Sequence, residues 1–334
     1  MRGEVIVQIF YNNITVLDIG TRKLEAMRAK KVGSRIRVLR RDFFLPEFEE
    51  KKEERLKELS KKYAVDVEDL VVYSFPIENI LFMNLNVPPR MDKKMIKNFA
   101  LIEISRNLNL RPEEIVVDVL EIFEGKALLV VSKREHIVQY INKLVALGFY
   151  EPDVLVPDVF KYLEFSIESV GRKCLIIYNF FEDYYSILFL IGSNVVAIRI
   201  VLSNLWDYME MMRESIGVPP LDLVSMRNLR DSPEVERFFL SNFEDILVEL
   251  EREIRITSET AISSVSIDEM DRFEFLVDPP VLSDVLDRAL SNSSTFSSKN
   301  FEVIKPPESV ETLGGLGLLL RGGRELGKVK SIHL

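Results

Sequence analysis

Asp18-Ile19-Gly20-Thr21 closes an apolar run, Ile14 to Ile19, and opens a turn. These residue types in this order could hold a phosphate. Gly20 lets successive backbone N–H groups approach an anion. Thr21 offers a hydroxyl, and Asp18 could hold a water of a bound magnesium ion. The plainer reading is a strand that ends in a turn. Little else in the chain has catalytic potential. His136 falls one position off the apolar stripe of a helix and reads as a boundary residue; His333 lies in the tail. Cys174 opens a buried strand and reads as inert core. Glu103 stands three residues before Arg106 on a helix, a spacing that suits an intrahelical ion pair or a contact at the edge of a peptide groove. The sequence holds no Gly-x-Ser-x-Gly elbow, no Walker phosphate loop and no dinucleotide fingerprint.

The chain that must position these residues has 334 of them, enough for two or three domains. Hydrophobic residues at 47% and charged residues at 29% exclude extensive disorder. Lys and Arg number 44 against 53 Asp and Glu, a net charge of −9, which disfavours nucleic acid as a partner. One cysteine and two histidines exclude a disulfide framework and a cysteine-rich zinc site. The most apolar stretch, Ser186 to Ile198, is interrupted by Gly192-Ser193-Asn194 and falls short of the ~20 residues of a membrane span. Met1-Arg2-Gly3-Glu4 lacks a signal-peptide core, so a cytoplasmic protein is expected.

The first segment reads as strands at Val5–Phe10, Ile14–Ile19, Leu24–Arg28 and Ile36–Leu39, turning at Lys30-Lys31-Val32-Gly33-Ser34. Pro46 opens a charged helix to about Lys62, with Glu47–Lys51, Glu53–Lys57 and Glu58–Lys62 as i,i+4 pairs. A unit of two strands, a helix (Lys93 to Leu108, with Met95, Phe99 and Ile102 along one side), a hairpin and a second helix follows. Cys174–Asn179, Tyr184–Ile191 and Val195–Val201 then repeat the opening meander, which implies an internal duplication. Ser232-Pro233 starts a long helix with the stripe Phe239, Phe243, Ile246, Leu250 and Ile254. Ser291–Asn300 reads as a mobile surface loop. A final helix is expected from Ser309 to Arg321; its Gly314, Gly315 and Gly317 permit close packing. The tail from Gly327 is expected to be disordered or lightly docked, with Ile332 and Leu334 as candidates to fill a partner's groove.

Asp18-Ile19-Gly20-Thr21 is similar to the first phosphate loop of the actin-like ATPase fold. Several further segments narrow the likeness: Asn86-Val87-Pro88-Pro89 before a helix with Glu103, Arg111-Pro112-Glu113-Glu114-Ile115 leading into a strand, Leu128 to Lys133 with its helix to Gly148, and Leu316-Gly317-Leu318-Leu319-Leu320-Arg321-Gly322. Together they resemble PilM, the actin-like family of type IV pilus assembly proteins related to the FtsA family. The resemblance implies an α/β fold, a duplicated ribonuclease H-like actin-like architecture with an inserted α+β subdomain. It divides the chain into a first lobe (1–76 and 153–172), the insert (77–152), a second lobe (173–307) and a return helix with the tail (308–334).

The departures from that family bear on function. The second phosphate loop should read apolar-Asp-Ile-Gly, but the chain has Ile177-Tyr178-Asn179-Phe180-Phe181; the adenosine strand should end in Gly-Gly, but reads Val277-Asp278-Pro279-Pro280. Aromatic bulk and a proline without an N–H stand where backbone should approach the nucleotide. Asp18, Gly20 and Thr21 are therefore expected to be a remnant phosphate loop, with no catalytic residue and no resident metal; Mg-ATP is the one cofactor left open. What the resemblance implies is a non-hydrolysing scaffold that docks the short N-terminal peptide of a bitopic inner-membrane protein (PilN in that family). The groove would lie between the first lobe and the insert, with Glu103 at its edge. The protein would meet the inner face of the inner membrane through that partner, with self-association open. The alternatives are a nucleotide-binding switch, in which Tyr178 or Phe180 stacks on a base, and an FtsA-like filament former.

Overall fold

Short apolar runs separated by tight turns build two sheets of one plan in the computed structural model of the chain. The structure describes residues 6–32, 35–46, 49–63, 65–66, 68–123, 125–167, 170–261, 270–306, 310–324 and 329–333. Expectations for Gly33, Ser34, Glu47, Glu124, Ser309 and Leu334 lie outside these residues. Two units emerge, one of residues 1–77, 136–164 and 314–334, the other of 78–135 and 165–313.

The first unit has a five-stranded sheet in the order β4-β3-β2-β5-β9, from β2 (Asn13–Ile19), β3 (Leu24–Val32), β4 (Arg35–Phe44), β5 (Asp69–Phe75) and β9 (Val154–Pro157). The β2–β3–β4 meander is antiparallel, whereas β5 and β9 add in parallel. Helix α1 (Glu49–Lys62) buries Leu56 and Leu59 against Leu17, Leu24 and Tyr73. Its Glu58–Lys62 pair forms at 2.7 Å. Helix α3 (Arg134–Ala146) brings Leu144 into the same core, with Tyr140 half-buried against it. Helix α8 starts at Gly314 and ends at Gly323. The tail, expected to be disordered or lightly docked, instead holds β15 (Val329–His333), paired antiparallel with β1 (Ile6–Phe10).

The second unit repeats the plan. Its sheet runs β12-β11-β10-β13-β14, from β10 (Arg172–Asn179), β11 (Tyr184–Ile191), β12 (Asn194–Leu202), β13 (Arg272–Asp278) and β14 (Phe301–Val303). Again a three-stranded meander is followed by two parallel additions. Helices α4 (Leu205–Ile216), α5 (Pro220–Ser225), α6 (Pro233–Ala261) and α7 (Ser283–Asn292) complete it, and all five stripe residues of α6 are buried. Ser291–Asn300 is not the free loop its composition suggests. Phe296 is fully buried, its ring 5.7 Å from Phe273 and 5.4 Å from Phe275.

A separate three-stranded sheet, β6-β8-β7, from β6 (Leu81–Asn86), β7 (Ile115–Phe123) and β8 (Lys126–Lys133), carries helix α2 (Lys93–Leu108). The helix is capped by Asp92, whose carboxylate accepts the Met95 N–H at 2.8 Å. Its packed face differs from the expected one. Ile96, Ala100 and Ile104 enter the core, whereas Met95 and Ile102 stay about half exposed, at 50% and 47%. Helix α2 is apolar on two sides, so counting apolar residues could not tell which side the sheet takes.

Candidate functional site

Strand β2 ends by delivering Asp18, fully buried, to a cluster of charged side chains. Lys23, at the turn before β3, places Nζ 3.0 Å from one carboxylate oxygen of Asp18. Lys161, from the 3-10 helix Asp158–Phe165, places Nζ 2.7 Å from the other. Lys161 also bonds Asp158, and all four side chains are at most 5% exposed. Burial pushes the Asp18 carboxyl up, but the two ammonium charges override it and hold the pKa down at about 2. Tyr140 of α3 donates its Oη proton to the Ser74 carbonyl at 2.7 Å. Its burial and the charges of Asp18 and Asp158 push its phenol well above the ordinary value.

The loop amides are also committed. Ile19 N–H donates to Ser74 Oγ at 2.8 Å and Gly20 N–H to the Lys23 carbonyl at 2.9 Å. Thr21 is exposed at the turn. Helix α8 closes over the cluster. A Cβ at Gly314 would strike the Asp18 carboxylate, and the Gly315 N–H donates to Glu25 Oε2 at 2.9 Å, a carboxylate also held by Arg41 at 2.8 Å. The glycines that weaken α8 as an isolated helix let its first turn lie against these acids, where the helix N-terminus favours negative charge.

This arrangement does not fit a magnesium–phosphate site. Two carboxylates and two ammonium groups make Asp18, Asp158, Lys23 and Lys161 neutral with no added cation, and each Asp18 oxygen lies within 3.0 Å of an ammonium nitrogen. A phosphate would meet a loop whose Ile19 and Gly20 N–H groups already have acceptors. Asp18 and Gly20 thus sit together at the expected turn as a closed structural joint. Lys23 and Lys161 were not foreseen. A lysine inside the apolar run Val159-Phe160-Lys161-Tyr162-Leu163 was the available signal, because a buried ammonium requires a buried partner.

In the second unit the corresponding loop is filled by its own core. Phe180 and Phe181 are fully buried. The Phe180 ring packs edge-on to Phe239 and Phe243 of α6, at 5.8 and 5.9 Å. Tyr178 packs on Tyr185 and Phe243, so neither ring expected to stack on a base is free to do so. Asn179 turns its side-chain oxygen to the Phe181 N–H at 3.1 Å. Asp278, buried before a cis proline, accepts the Leu313 N–H at 3.1 Å, and its carbonyl takes the Phe180 N–H at 2.9 Å. Glu103 lies on α2, partly exposed and 3.3 Å from Arg106. Among the described residues no group of three or more His, Cys, Asp or Glu could hold a metal, and no helix is long and apolar enough to cross a membrane.

Two five-stranded sheets of one order, each a meander with two parallel additions, define the duplicated α/β architecture of the actin-like ATPase fold, here with an inserted three-stranded subdomain. The chain is structurally similar to a chain of the PilM–PilN type IV pilus biogenesis complex, with a TM-score of 0.63 over 92% of this chain and 98% of that one at 19% identity. It also aligns with the cytoplasmic domain of EpsL, an inner-membrane component of the type II secretion system of Vibrio cholerae (TM-score 0.49, 11% identity, 93% and 94% covered). A protein of actin-like ATPase fold and unknown function from Bacteroides thetaiotaomicron aligns at TM-score 0.47 and 8% identity, covering 93% and 96%. No protein-family model matches the sequence, and no curated protein matches it.

Proposed function

We propose that this chain is an assembly scaffold of a type IV pilus or related secretion machine that docks the short N-terminal peptide of a bitopic inner-membrane protein and does not hydrolyse ATP. Likeness to a chain of the PilM–PilN complex over 92% of the sequence supports the pilus assignment. The observation that carries the non-hydrolysing part is Asp18, held on both oxygens by Lys23 and Lys161. A scaffold of this kind works through backbone hydrogen bonds and side-chain pockets offered to an extended peptide, which needs no nucleotide chemistry. The partner would bring the chain to the inner face of the inner membrane. Calorimetric titration of the full chain with the N-terminal peptide of the PilN-like protein from the same source tests the reading. Saturable binding, the same with and without Mg-ATP, is expected. No binding under either condition, or ATP turnover by the purified chain, would overturn it.

A further inference from the structure

The outer end of the β3–β4 hairpin carries basic charge that acidic side chains among the described residues leave in part unpaired. Residues 28–41 contain seven basic side chains and no acidic one, in a chain of net charge −9. Arg28 is neutralised by Asp66 and Asp69, Arg40 by Asp42 and Arg41 by Glu25. Lys30, Arg35 and Arg37 are exposed and form no ion pair among the described residues. In the ladder Lys30 stands directly opposite Arg37, and Val32 opposite Arg35, so all four share one face of the hairpin. Like charges directly opposite each other destabilise a strand pair. The other face takes its support from α8, where a Cβ at Gly323 would strike Ile36.

An apolar side chain is exposed on the same face, Val32 at 55%; Leu39, 53% exposed, stands in the bulge that follows, and Val38, opposite Ala29, is on the other face and 42% exposed. Leu39 is the extra residue of a bulge, since Arg28 pairs with Arg40 and Ala29 with Val38. Strand β4 is the sheet's edge. A bulge and a row of cations are what blunts an edge against another strand, so strand addition is disfavoured here. Nucleic acid would answer the charge but give exposed Val32 and the neighbouring Leu39 nothing to bury in. A bilayer surface rich in anionic phospholipid answers both, because phosphates meet the cations while short apolar side chains enter the headgroup–acyl boundary.

We infer that the Lys30/Val32/Arg35/Arg37 face of this hairpin, with the Leu39 bulge adjoining it, is a contact site for anionic phospholipid. The site does not depend on the partner peptide. It would turn one defined surface of an otherwise acidic chain toward the bilayer.

Flotation of the full chain with vesicles of phosphatidylcholine, with or without phosphatidylglycerol, tests this at low and high salt. Recovery with the anionic vesicles alone, lost at high salt, is expected. The Lys30→Gln/Arg35→Gln/Arg37→Gln variant should lower the partition on the order of 100-fold, from about 1 kcal/mol for each basic residue near the surface. Its melting temperature should not fall, because a like-charge pair has been removed. Val32→Ser should weaken binding several-fold while keeping its salt dependence. Equal recovery with neutral vesicles, no recovery with either, or an unchanged partition for the triple variant would overturn the site. Polyglutamate or duplex DNA bound more tightly than the anionic vesicles, in a way lost in the triple variant, would reassign the face to an acidic protein or to nucleic acid.

Discussion

Lys161 Nζ lies 2.7 Å from Asp18 Oδ1, and neither side chain reaches solvent. The carboxylate at the end of β2 is therefore tied to the turn that follows β9, 143 residues along the chain. An isolated buried charge is far costlier than a paired one. The pair consequently ties the fold of this unit to the condition that both groups be present.

Lys161→Met removes one partner and leaves the Asp18 and Asp158 carboxylates short of a cation. Loss of about 3–5 kcal/mol in urea unfolding is expected. The double variant Asp18→Asn/Lys161→Met, which removes the stranded charge as well, should recover part of that loss. A double variant no more stable than Lys161→Met alone would show that the two residues act independently.

Acid should weaken this joint over a defined range. The folded-state pKa of Asp18 is about 2 against an ordinary value of 3.8. A depressed carboxyl pKa contributes stability that is full above the ordinary value and lost as pH falls toward the folded one. The contribution is about 2 kcal/mol, lost between roughly pH 4 and pH 2. Stability measured against pH should fall more steeply over that range for the wild type than for Asp18→Asn.

Gly314→Ala would drive a methyl group into the Asp18 carboxylate, with Lys23 Nζ 2.7 Å from the new carbon. Neither atom can retreat without breaking the cluster. A cost of about 1–3 kcal/mol is expected, although alanine is the better helix former. Gly125→Ala is the control: it has open space but a left-handed φ of 76°, and should cost about 1–2 kcal/mol from backbone strain alone.

On α2, the Glu103–Arg106 pair is exposed and spans one helical turn, so Arg106→Ala should change stability by less than about 0.5 kcal/mol. If Glu103 lines the peptide groove, Glu103→Arg should weaken partner-peptide affinity in calorimetry while leaving the melting temperature unchanged. Unchanged affinity would reduce Glu103 to a surface ion pair.

The duplicated sheets were legible because short continuous apolar runs, cut by Gly, Asn and Asp turns, specify meanders locally. The α6 stripe was legible because its aromatic and aliphatic residues recur at spacings of four, three, four and four along one face. The packed side of α2 was not, since Met95 and Ile102 alternate with Ile96 and Ile104 and only the sheet beneath decides between them. The departure of the second loop and of the β13 end from the expected pattern was visible in Phe180 and Pro279. The closure of the first loop by Lys23 and Lys161 was not, because a lysine 143 residues away meets Asp18 through topology rather than through spacing. The tail strand was hidden for the same reason: β15 is short and polar, and becomes a strand by pairing with β1.

The two filled loops carry the last prediction. Binding of Mg-ATP at 100 times its dissociation constant would stabilise the fold by about 2.7 kcal/mol, a shift of a few degrees. No shift is expected, because the Asp18 oxygens are both engaged and Phe180 occupies the position where the second loop's backbone would approach phosphate. Phe180→Ala would open that position at a cost of about 3–5 kcal/mol in stability. It should not create binding, because Asp18 stays paired with Lys23 and Lys161. A melting shift in the wild type, confirmed by calorimetry and absent in Asp18→Asn, would show that Mg-ATP displaces the two lysines, and would make the joint a switch rather than a fixed support.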